Sequence, residues 1–429
     1  MARRLEPTRR LCGRVHLPGD KSISHRMAML AAIADGDTEL ENYSTSADCA
    51  ATLECLKRLG VSVRPAVSGV VIGGVGRSGF RPSAATLDAA NSGTTIRLLA
   101  GLLAGQPFET RITGDASLRR RPMRRIIEPL RRMGATLTAV DDNFAPLSVR
   151  GGDLRGITYE SPVASAQVKS CLLLAGLFAA GDTTVIEPMP TRDHTERLLG
   201  AFGVPVTIQG SACTVTGGLP LQSPGRLRAP GDFSAAAFFI AAGLMTPTAD
   251  IRLEGVGLNP TRTGFLTVLR AAGAEVEVAN ERLEGGEPVA DLRVTPATPR
   301  PIRTLRATGA LTANAIDEIP ILAILGAYFH GLEVADASEL RVKESDRLAL
   351  IAHNLRAMGV AVEERPDGLT IPGGQRLRGA TIHTAGDHRI AMAFAVAALV
   401  ADGPTTLDDA DCVCVSFPNF FAVLDQVRG

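Results

Sequence analysis

The peptide ProGlyAspLysSer, residues 18–22, returns with one change as ProGlyAspPheSer, residues 230–234. The two copies stand 212 residues apart, and each opens an apolar stretch of helical composition. An Asp just before such a stretch is typical of a helix N-cap. A motif repeated at about half the chain length predicts two similar halves that meet at these two peptides.

A shorter phrase also recurs, in which an amphipathic helix ends at an apolar residue and a Gly and is followed by an alternating strand. A helix that ends in this way needs a residue with positive φ, which Gly accepts at the least steric cost. The phrase occurs five times, and the sequence ends with a Gly in the same place, which gives intervals of 74, 69, 70, 86 and 70 residues between the glycines. Its glycines are Gly60, Gly134, Gly203, Gly273, Gly359 and Gly429.

About forty residues before these glycines lies a more apolar helix, followed by a small turn and a β-like run, as in the segment from Met27 to Leu40. The pattern predicts strand, buried helix, strand, amphipathic helix and two strands, repeated six times. We therefore predict an α/β fold with two domains of three βαβαββ units each, 18–229 and 1–17 plus 230–429. The strand before Pro18 should pair with the second domain. The alternative is two unrelated α/β domains in which the repeated phrases are coincidental.

The composition limits the classes of function. Lys plus Arg and Asp plus Glu number 45 each, so the chain lacks the basic excess typical of nucleic-acid-binding proteins. We find no secretion signal and no apolar run of membrane-spanning length. The seven cysteines contain no CxxC pair, which predicts buried, reduced thiols in a cytoplasmic protein. The chain has only four lysines, which are Lys21, Lys57, Lys169 and Lys343.

Two segments of the first half carry residues suited to anions. Residues 19–26 place Lys21, Ser22 and Arg26 at a predicted helix start, where backbone amides attract anions. A capped helix with solvated charges explains this segment equally well. Residues 87–97 hold Asn91 and Gly93, the latter able to let a ligand approach the backbone.

Further candidates follow in the same half. Arg121 ends a run of three arginines, of which the first two are explained by a solvated basic turn. Ser165 and Gln167 precede an apolar helix, where a buried Gln would need partners. Arg192 lies at another helix start, and we interpret the nearby His194 as a cap or a surface residue rather than a catalyst.

The second half combines carboxylates with cations. Asp317 lies in an apolar stretch, and general acid–base chemistry on an anionic substrate needs such carboxylates among cations. Ordinary structural ion pairs are the alternative for any one of these residues. The remaining candidates of this group are Lys343, Glu344, Arg347 and Arg389.

From about Gly13 to Phe421, these segments closely resemble the 5-enolpyruvylshikimate-3-phosphate synthases, or 3-phosphoshikimate 1-carboxyvinyltransferases, of the class II-like bacterial branch. The resemblance implies an inside-out α/β barrel in two domains, with helices inside and sheets outside. It also implies transfer of the enolpyruvyl group of phosphoenolpyruvate to the 5-hydroxyl of shikimate 3-phosphate, on the route to chorismate and the aromatic amino acids. No cofactor or metal is implied, and we expect a cytoplasmic monomer with small-molecule partners, without nucleic acid or membrane.

The same resemblance implies roles for individual residues. Asp317 would be the base toward the 5-hydroxyl, and Glu344 with Lys21 would manage the proton at the methylene carbon. Gly93 would leave room for glyphosate, a competitor of phosphoenolpyruvate. The implied shikimate 3-phosphate ligands are Lys21, Ser22, Arg26, Ser165, Ala166, Gln167, Arg192, Asp317 and Lys343. The implied phosphoenolpyruvate ligands are Lys21, Asn91, Gly93, Arg121, Gln167, Arg347 and Arg389, with Asp48 close by.

Two rival functions fit the motifs less well. UDP-N-acetylglucosamine enolpyruvyl transferases usually carry a Cys where this chain has Ala116, and an AlaLysAsn opening in place of AspLysSer at 20–22. An RNA-end-binding repeat protein is disfavoured by zero net charge and few aromatic residues. The chain also departs from the related branch at Glu339 and Val415, to which we assign no role.

Overall fold

The computed structural model describes residues 1–297 and 303–428, and the chain divides into two compact units. Unit 1 comprises Met1–Pro18, Pro230–Arg282 and the described part of Pro288–Gly429. Unit 2 comprises Gly19–Ala229 and Leu283–Glu287. Each unit has its own core of buried apolar side chains.

The strands alternate with helices along both units. The strands are β1 (Arg3–Leu5), β2 (Arg10–Val15), β3 (Asp35–Glu41), β4 (Ser62–Ala66), β5 (Gly69–Val75), β6 (Leu87–Asp88), β7 (Glu109–Thr113), β8 (Thr136–Val140), β9 (Phe144–Arg150), β10 (Thr158–Glu160), β11 (Asp182–Ile186), β12 (Val206–Gln209), β13 (Ala212–Thr216), β14 (Arg226–Arg228), β15 (Thr248–Gly257), β16 (Glu277–Glu284), β17 (Glu287–Val294), β18 (Leu305–Ala307), β19 (Gly331–Val334), β20 (Glu363–Arg365), β21 (Gly368–Pro372), β22 (Thr381–Ile382) and β23 (Thr405–Leu407).

The helices are α1 (Lys21–Ile33), α2 (Ala47–Arg58), α3 (Gly93–Ala104), α4 (Arg124–Met133), α5 (Ala166–Gly176), α6 (His194–Ala201), α7 (Phe233–Met245), α8 (Gly264–Ala271), α9 (Ala310–Asn314), α10 (Ile319–Tyr328), α11 (Arg347–Ala357), α12 (His388–Leu399) and α13 (Phe420–Arg428). Short 3-10 helices cover Leu118–Arg120, Ser338–Val342 and Asp411–Val415. Within the described residues, no helix combines the length and apolarity needed to cross a bilayer.

Unit 2 contains three four-stranded sheets with one pattern of pairing. Their strand orders are β14-β3-β5-β4, β6-β7-β9-β8 and β10-β11-β13-β12. In each sheet the first two strands are parallel and the remaining pairings are antiparallel. A parallel pair requires a crossover, which α3 provides between β6 and β7 and α5 provides between β10 and β11. In the first sheet, however, the leading strand is β14, which comes from the end of the unit.

Unit 1 has a similar pattern, and one of its sheets likewise includes a strand from a distant part of the chain. Its sheets are β16-β17-β15-β2, β18-β19-β21-β20 and β1-β23-β22. Strand β2 is parallel to β15, with Arg10 opposite Thr248 and Val15 opposite Leu253, so the predicted pairing of the N-terminal strand is confirmed. In the described part of the last repeat, β1 is antiparallel to β23 and occupies the place held by a later strand in the other repeats.

The buried helices lie inside each unit and the sheets cover them. Every residue of α7 and α12 is buried, and α3 and α5 are nearly as apolar and enclosed. The strands instead alternate between buried and exposed positions, as in β15. This alternation is expected of sheets with one face on the core and one face in water.

The glycines of the repeated phrase end their helices as predicted. Positive φ angles of 89°, 110°, 81°, 91° and 81° are found at Gly60, Gly134, Gly203, Gly273 and Gly359. Gly429 lies outside the described residues. All seven cysteines are free thiols. The predicted burial is wrong for two of them, because Cys12 is half-buried in β2 and Cys414 is exposed on a short 3-10 helix.

Candidate active-site residues in the two units

Polar side chains gather where the buried helices begin. Asp20, Ser92 and Ser165 cap α1, α3 and α5, and their side-chain oxygens accept hydrogen bonds from backbone amides of the first turns. Asp232 and Asp387 cap α7 and α12 in the same way. Several helix starts per unit thus lie beside the candidate residues, and the positive end of a helix dipole favours bound anions.

Lys21 is the first residue of α1 and is held by a carboxylate. Its Nζ lies 2.9 Å from Asp48 Oδ2, in the first turn of α2. The two side chains are 14% and 7% exposed, so Lys21 is largely enclosed but still reachable. The pair fixes an ammonium group at the start of a helix.

Arg26 is buried one turn further along α1. Its guanidinium donates to Thr195 Oγ1, Ser22 O and Ser170 Oγ, each at 2.8 Å. These bonds use three of its five N–H groups. Burial lowers the pKa of Arg26 to about 10, with Glu196 acting in the opposite direction. Arg192 Nη1 donates to Ser22 Oγ at 3.4 Å, so two arginines that were predicted to bind shikimate 3-phosphate contact the same serine.

Gln167 links the starts of α5 and α3. Its Nε2 donates to Thr94 Oγ1 at 2.9 Å, and its Oε1 accepts from Arg97 Nη1 at 2.5 Å. Arg97 also donates to Pro122 O at 3.2 Å. The half-buried Gln167 therefore has the partners that its burial requires. Ser165 and Ala166 open the same helix, so these three predicted residues lie together.

Asn91, Gly93 and Arg121 form the neighbouring group. Arg121 Nη2 donates to Asn91 Oδ1 at 2.8 Å, and Asn91 in turn donates to Asp115 Oδ2 at 2.7 Å. A Cβ atom added at Gly93 would lie 2.9 Å from Arg97 Nη1 and 3.2 Å from Arg121 Nη1. The absence of a side chain at Gly93 is what lets both guanidinium groups approach the start of α3.

In unit 1, Arg347 is the centre of the candidate group. Its side chain is 1% exposed, and it donates to Asp387 Oδ2 at 2.8 Å and to Glu344 Oε2 at 2.6 Å. Burial alone would lower the pKa of Arg347, but Asp387, Glu344 and Asp317 outweigh it and hold the pKa above its ordinary value. Asp387 thus caps α12 and anchors this guanidinium at the same time.

Asp317 lies just before α10, within reach of several guanidinium groups. Its Oδ1 is 3.4 Å from Arg347 Nη1, and its Oδ2 is 3.6 Å from Arg389 Nη2 and 3.7 Å from Arg262 Nη1. Arg389 Nη1 also donates to Asp317 O at 3.0 Å. The carboxylate is therefore surrounded by cations, as its proposed role as a base requires.

Lys343 and Glu344 follow a 3-10 helix and are both half-buried. Burial lowers the pKa of Lys343 and Arg347 adds to this effect, while Asp317, Glu339 and Glu344 act against it. A lowered pKa makes the ammonium of Lys343 easier to deprotonate than an exposed one. Lys343 and Glu344 thus belong electrostatically to the group around Asp317.

The two groups differ in charge. The unit 2 group is dominated by cations and is suited to phosphate and carboxylate groups. The unit 1 group is balanced and is suited to proton transfer. Unit 2 brings together Lys21, Arg26, Arg97, Arg121 and Arg192 with Asp48 and Asp115. Unit 1 brings together Arg262, Lys343, Arg347 and Arg389 with Asp317, Glu318, Glu344 and Asp387.

Sequence reasoning gave no role to several members of these groups. Arg262 lies in none of the motifs described above, and its contact with Asp317 depends on a fold that brings the turn before α8 beside the start of α10. Ser234 could have been found, because it is the counterpart of Ser22 in the repeated peptide. The interpretation of His194 as a cap or surface residue is wrong, because its side chain is buried and Nδ1 lies 2.7 Å from Glu287 Oε1.

Comparison with known proteins decides the family. The profile of EPSP synthase (3-phosphoshikimate 1-carboxyvinyltransferase) matches residues 5–424. The chain is 49% identical to the 3-phosphoshikimate 1-carboxyvinyltransferase of Solibacter usitatus over 428 residues, and the match covers 100% of both chains. The chain belongs to the EPSP synthase family. The 3-phosphoshikimate 1-carboxyvinyltransferase of Desulforudis audaxviator is 50% identical over 431 residues, again covering 100% of both chains.

Solved structures agree with the EPSP synthase assignment. The EPSP synthase of Acinetobacter baumannii superposes with a TM-score of 0.88 at 42% identity, covering 99% of this chain and 98% of its own. The enolpyruvyl transferase NikO of Streptomyces tendae has a TM-score of 0.81 at 19% identity, covering 99% and 96%, and shares the fold. The family, the inside-out α/β fold class and the enzyme class predicted from the sequence are confirmed.

Proposed function

We propose that this protein transfers the enolpyruvyl group of phosphoenolpyruvate to the 5-hydroxyl of shikimate 3-phosphate, giving 5-enolpyruvylshikimate 3-phosphate and phosphate. The observation that carries the proposal is the placement of Asp317 and Glu344 against Arg347 in unit 1. The reaction needs one carboxylate for the hydroxyl proton and another for the carbon proton, both beside cations that hold an anionic substrate. The seven free thiols support a reducing, cytoplasmic location, and we propose a monomer.

Phosphoenolpyruvate carries a phosphate and a carboxylate, and both kinds of group are bound best by guanidinium and ammonium donors. In unit 2, Lys21 is the first residue of α1 and Gly93 is the first residue of α3, and Arg121 lies close to Gly93. In unit 1, Arg347 and Arg389 supply two buried guanidinium groups. The proposed phosphoenolpyruvate ligands are Lys21, Asn91, Gly93, Arg121, Gln167, Arg347 and Arg389.

Shikimate 3-phosphate adds a phosphate, a carboxylate and hydroxyls. Arg192 and Ser22 lie in contact, and a phosphate would find the amide groups of the α5 start beside Ser165. Arg26 keeps N–H groups beyond its three internal bonds. The proposed ligands are Lys21, Ser22, Arg26, Ser165, Ala166, Gln167, Arg192, Asp317 and Lys343.

The reaction proceeds by addition and elimination. Asp317 accepts the proton of the 5-hydroxyl as its oxygen bonds to C2 of phosphoenolpyruvate, while Glu344 with Lys21 delivers a proton to the methylene carbon. The tetrahedral adduct then returns a proton from the new methyl group to Glu344, the double bond re-forms, and the C–O bond to phosphate breaks, so that inorganic phosphate leaves with the electron pair. Arginine and lysine side chains stabilise the charge that develops on phosphate and carboxylate, which is electrostatic catalysis by fixed groups.

The product identifies the reaction directly. Phosphorus NMR of the enzyme with both substrates should show the phosphoenolpyruvate resonance replaced by inorganic phosphate, while the 3-phosphate resonance persists on a new compound. Mass spectrometry should show shikimate 3-phosphate gaining one enolpyruvyl group. Loss of the 3-phosphate, or release of pyruvate without a new enol ether at the 5-oxygen of shikimate 3-phosphate, would contradict the proposal.

A further inference from the structure

Arg262 is a buried guanidinium that the substrate assignments do not use. It lies in the turn before α8, where its N–H donates to Asn259 O at 2.8 Å, and its side chain is 3% exposed. Nη2 donates to Ser234 Oγ at 2.7 Å. The Ser234 hydroxyl donates to the carboxylate of Glu318, so Arg262 is fixed at the starts of both α7 and α10.

The charges around this guanidinium are acidic. Nη1 of Arg262 lies 3.7 Å from Asp317 Oδ2 and 4.0 Å from Glu318 Oε1, and Nη2 lies 3.9 Å from Asp232 Oδ1. Burial raises the pKa of Glu318, with Arg262 and Arg389 acting against it. Arg262 is therefore a counter-ion shared by the proposed base and by its neighbour in the chain.

The other groups that face Asp317 come from three elements. Arg347 of α11 and Arg389 of α12 contact its carboxylate, Glu318 adjoins it, and Lys343 interacts with it electrostatically. Arg347, Arg389 and Lys343 are all proposed substrate ligands, so substrate anions compete with Asp317 for them. Arg262 is not among the proposed substrate ligands, so substrate anions do not compete with Asp317 for it.

We propose that Arg262 is a positioning residue, which keeps Asp317 ionised and oriented as the base while the other cations bind substrate. This inference rests on the proposed function of Asp317. A cation within about 4–6 Å lowers the pKa of an Asp by about 1–3 units, and three guanidinium groups share that effect here. Removing Arg262 should therefore raise the pKa of Asp317 by about one unit. Asp317 acts as a base in its ionised form, so activity at acidic pH should fall first.

The test measures the pKa of Asp317 without relying on turnover. Carbon-13 NMR of the labelled Asp carboxyl groups, with Asp317→Asn for assignment, is recorded against pH in wild type, Arg262→Met and Arg262→Lys. The pH profile of kcat/KM is measured on the same variants. Arg293→Met is the matched control, because Arg293 pairs with Asp250 at 2.8 Å on the outer face of a sheet.

The expected result is a raised Asp317 pKa and an acid limb moved to higher pH in Arg262→Met, smaller changes in Arg262→Lys, and none in Arg293→Met. Ser234→Ala removes the hydrogen bond to Arg262 Nη2 but keeps the charge of Arg262, so the pKa of Asp317 should rise by a smaller amount. This variant replaces Arg262→Met in the test if Arg262→Met fails to fold. The inference is overturned if the pKa of Asp317 is the same in Arg262→Met as in wild type. If Arg262→Met is unfolded, an unchanged Asp317 pKa in Ser234→Ala overturns it. If the wild-type enzyme releases no phosphate in response to substrate while the pKa of Asp317 responds to the variants as expected, the proposed function is refuted and the inference about Arg262 is not.

Discussion

The carboxylate of Asp317 is surrounded by guanidinium groups. Three guanidinium groups lie 3.4–3.7 Å from its oxygens, and its backbone carbonyl accepts from Arg389. Glu344 is held by Arg347 at 2.6 Å. Both carboxylates are thus fixed by hydrogen bonds and charge, which is how enzymes hold acid–base groups ready for proton transfer.

Asp317→Asn and Glu344→Gln should each lower kcat by about a hundredfold or more, since a positioned acid or base contributes about 10²–10⁴ in rate. The amides keep the size of the side chains, so the KM for phosphoenolpyruvate should change much less. Steady-state kinetics checks both constants. Asp250→Asn, on the outer face of β15, is the control and should leave them unchanged. Near wild-type kcat in both variants would show that these carboxylates do not transfer the protons.

At Gly93, a single added methyl group would meet two guanidinium groups of the candidate site. The new Cβ would lie 2.9 Å from Arg97 Nη1, and Arg97 is bonded to Gln167 and to Pro122 O, so it has little freedom to withdraw. Any displacement of Arg97 would be transmitted to Gln167, a proposed ligand of both substrates. The space beside Gly93 is thus enclosed by held groups rather than by loose side chains.

Gly93→Ala should weaken competitive inhibition by glyphosate more than it raises the KM for phosphoenolpyruvate, because glyphosate is the longer molecule. We expect the inhibition constant to rise by about tenfold or more, which corresponds to roughly 1.4 kcal/mol. The two constants are measured side by side in both proteins. Gly200→Ala is the control, because an added Cβ there meets no atom within 4 Å. Equal inhibition constants in wild type and Gly93→Ala would show that this glycine does not set the fit.

Between elements, the buried Lys169 joins α5 to the chain around α6. Its Nζ lies 2.7 Å from both Glu187 and Glu196, and all three side chains are 4–6% exposed. Glu187 also accepts from Thr191 N, directly before Arg192. Burial lowers the pKa of Lys169 but the two carboxylates outweigh it, and burial raises the pKa of Glu196. One ammonium is shared by two carboxylates, so its loss would leave both uncompensated.

Lys169→Met should destabilise the protein by about 3–5 kcal/mol, the cost of removing one partner of a buried ion pair. In the variant, burial still raises the pKa of Glu196 and Lys169 no longer opposes it, so Glu196 binds its proton more tightly when folded than at its unfolded pKa of about 4.3. Stability is therefore retained below that pH and lost as the pH rises through the raised folded pKa. Thermal melting at pH 5 and pH 8 should show the larger loss at pH 8. Lys57→Met, on an exposed helix face, is the control, and an equal loss at both pH values would contradict this account of the triad.

Features fixed by local geometry were predictable at the scale of elements. The glycines that end the helices were found because a helix end with positive φ restricts the residue type, and the buried helices because they are apolar throughout. Pairing between distant strands was harder. The parallel partner of β3 is β14, which follows it by more than 180 residues, and no local pattern indicates that exchange. The contact of Arg262 with Asp317 was missed for the same reason.

At the scale of the whole molecule, two cores and a balanced charge are consistent with an enzyme that concentrates its cations locally. The chain carries 45 basic and 45 acidic residues, yet five cations of unit 2 belong to the candidate group near its helix starts, namely Lys21, Arg26, Arg97, Arg121 and Arg192. The family could be identified from ordered motifs spread over both halves. The residue roles stay predictions, because they depend on where the substrates lie.

Phosphate release with two alternative acceptors tests the central claim most directly. The enzyme is given phosphoenolpyruvate with shikimate 3-phosphate, and separately phosphoenolpyruvate with UDP-N-acetylglucosamine, and phosphate is followed over time. We predict release that depends on shikimate 3-phosphate and none above background with the UDP-sugar, because the AspLysSer opening and Ala116 are unlike those of the UDP-sugar enzymes. Phosphate release that depends on UDP-N-acetylglucosamine, with no release when shikimate 3-phosphate is the acceptor, would contradict the assignment.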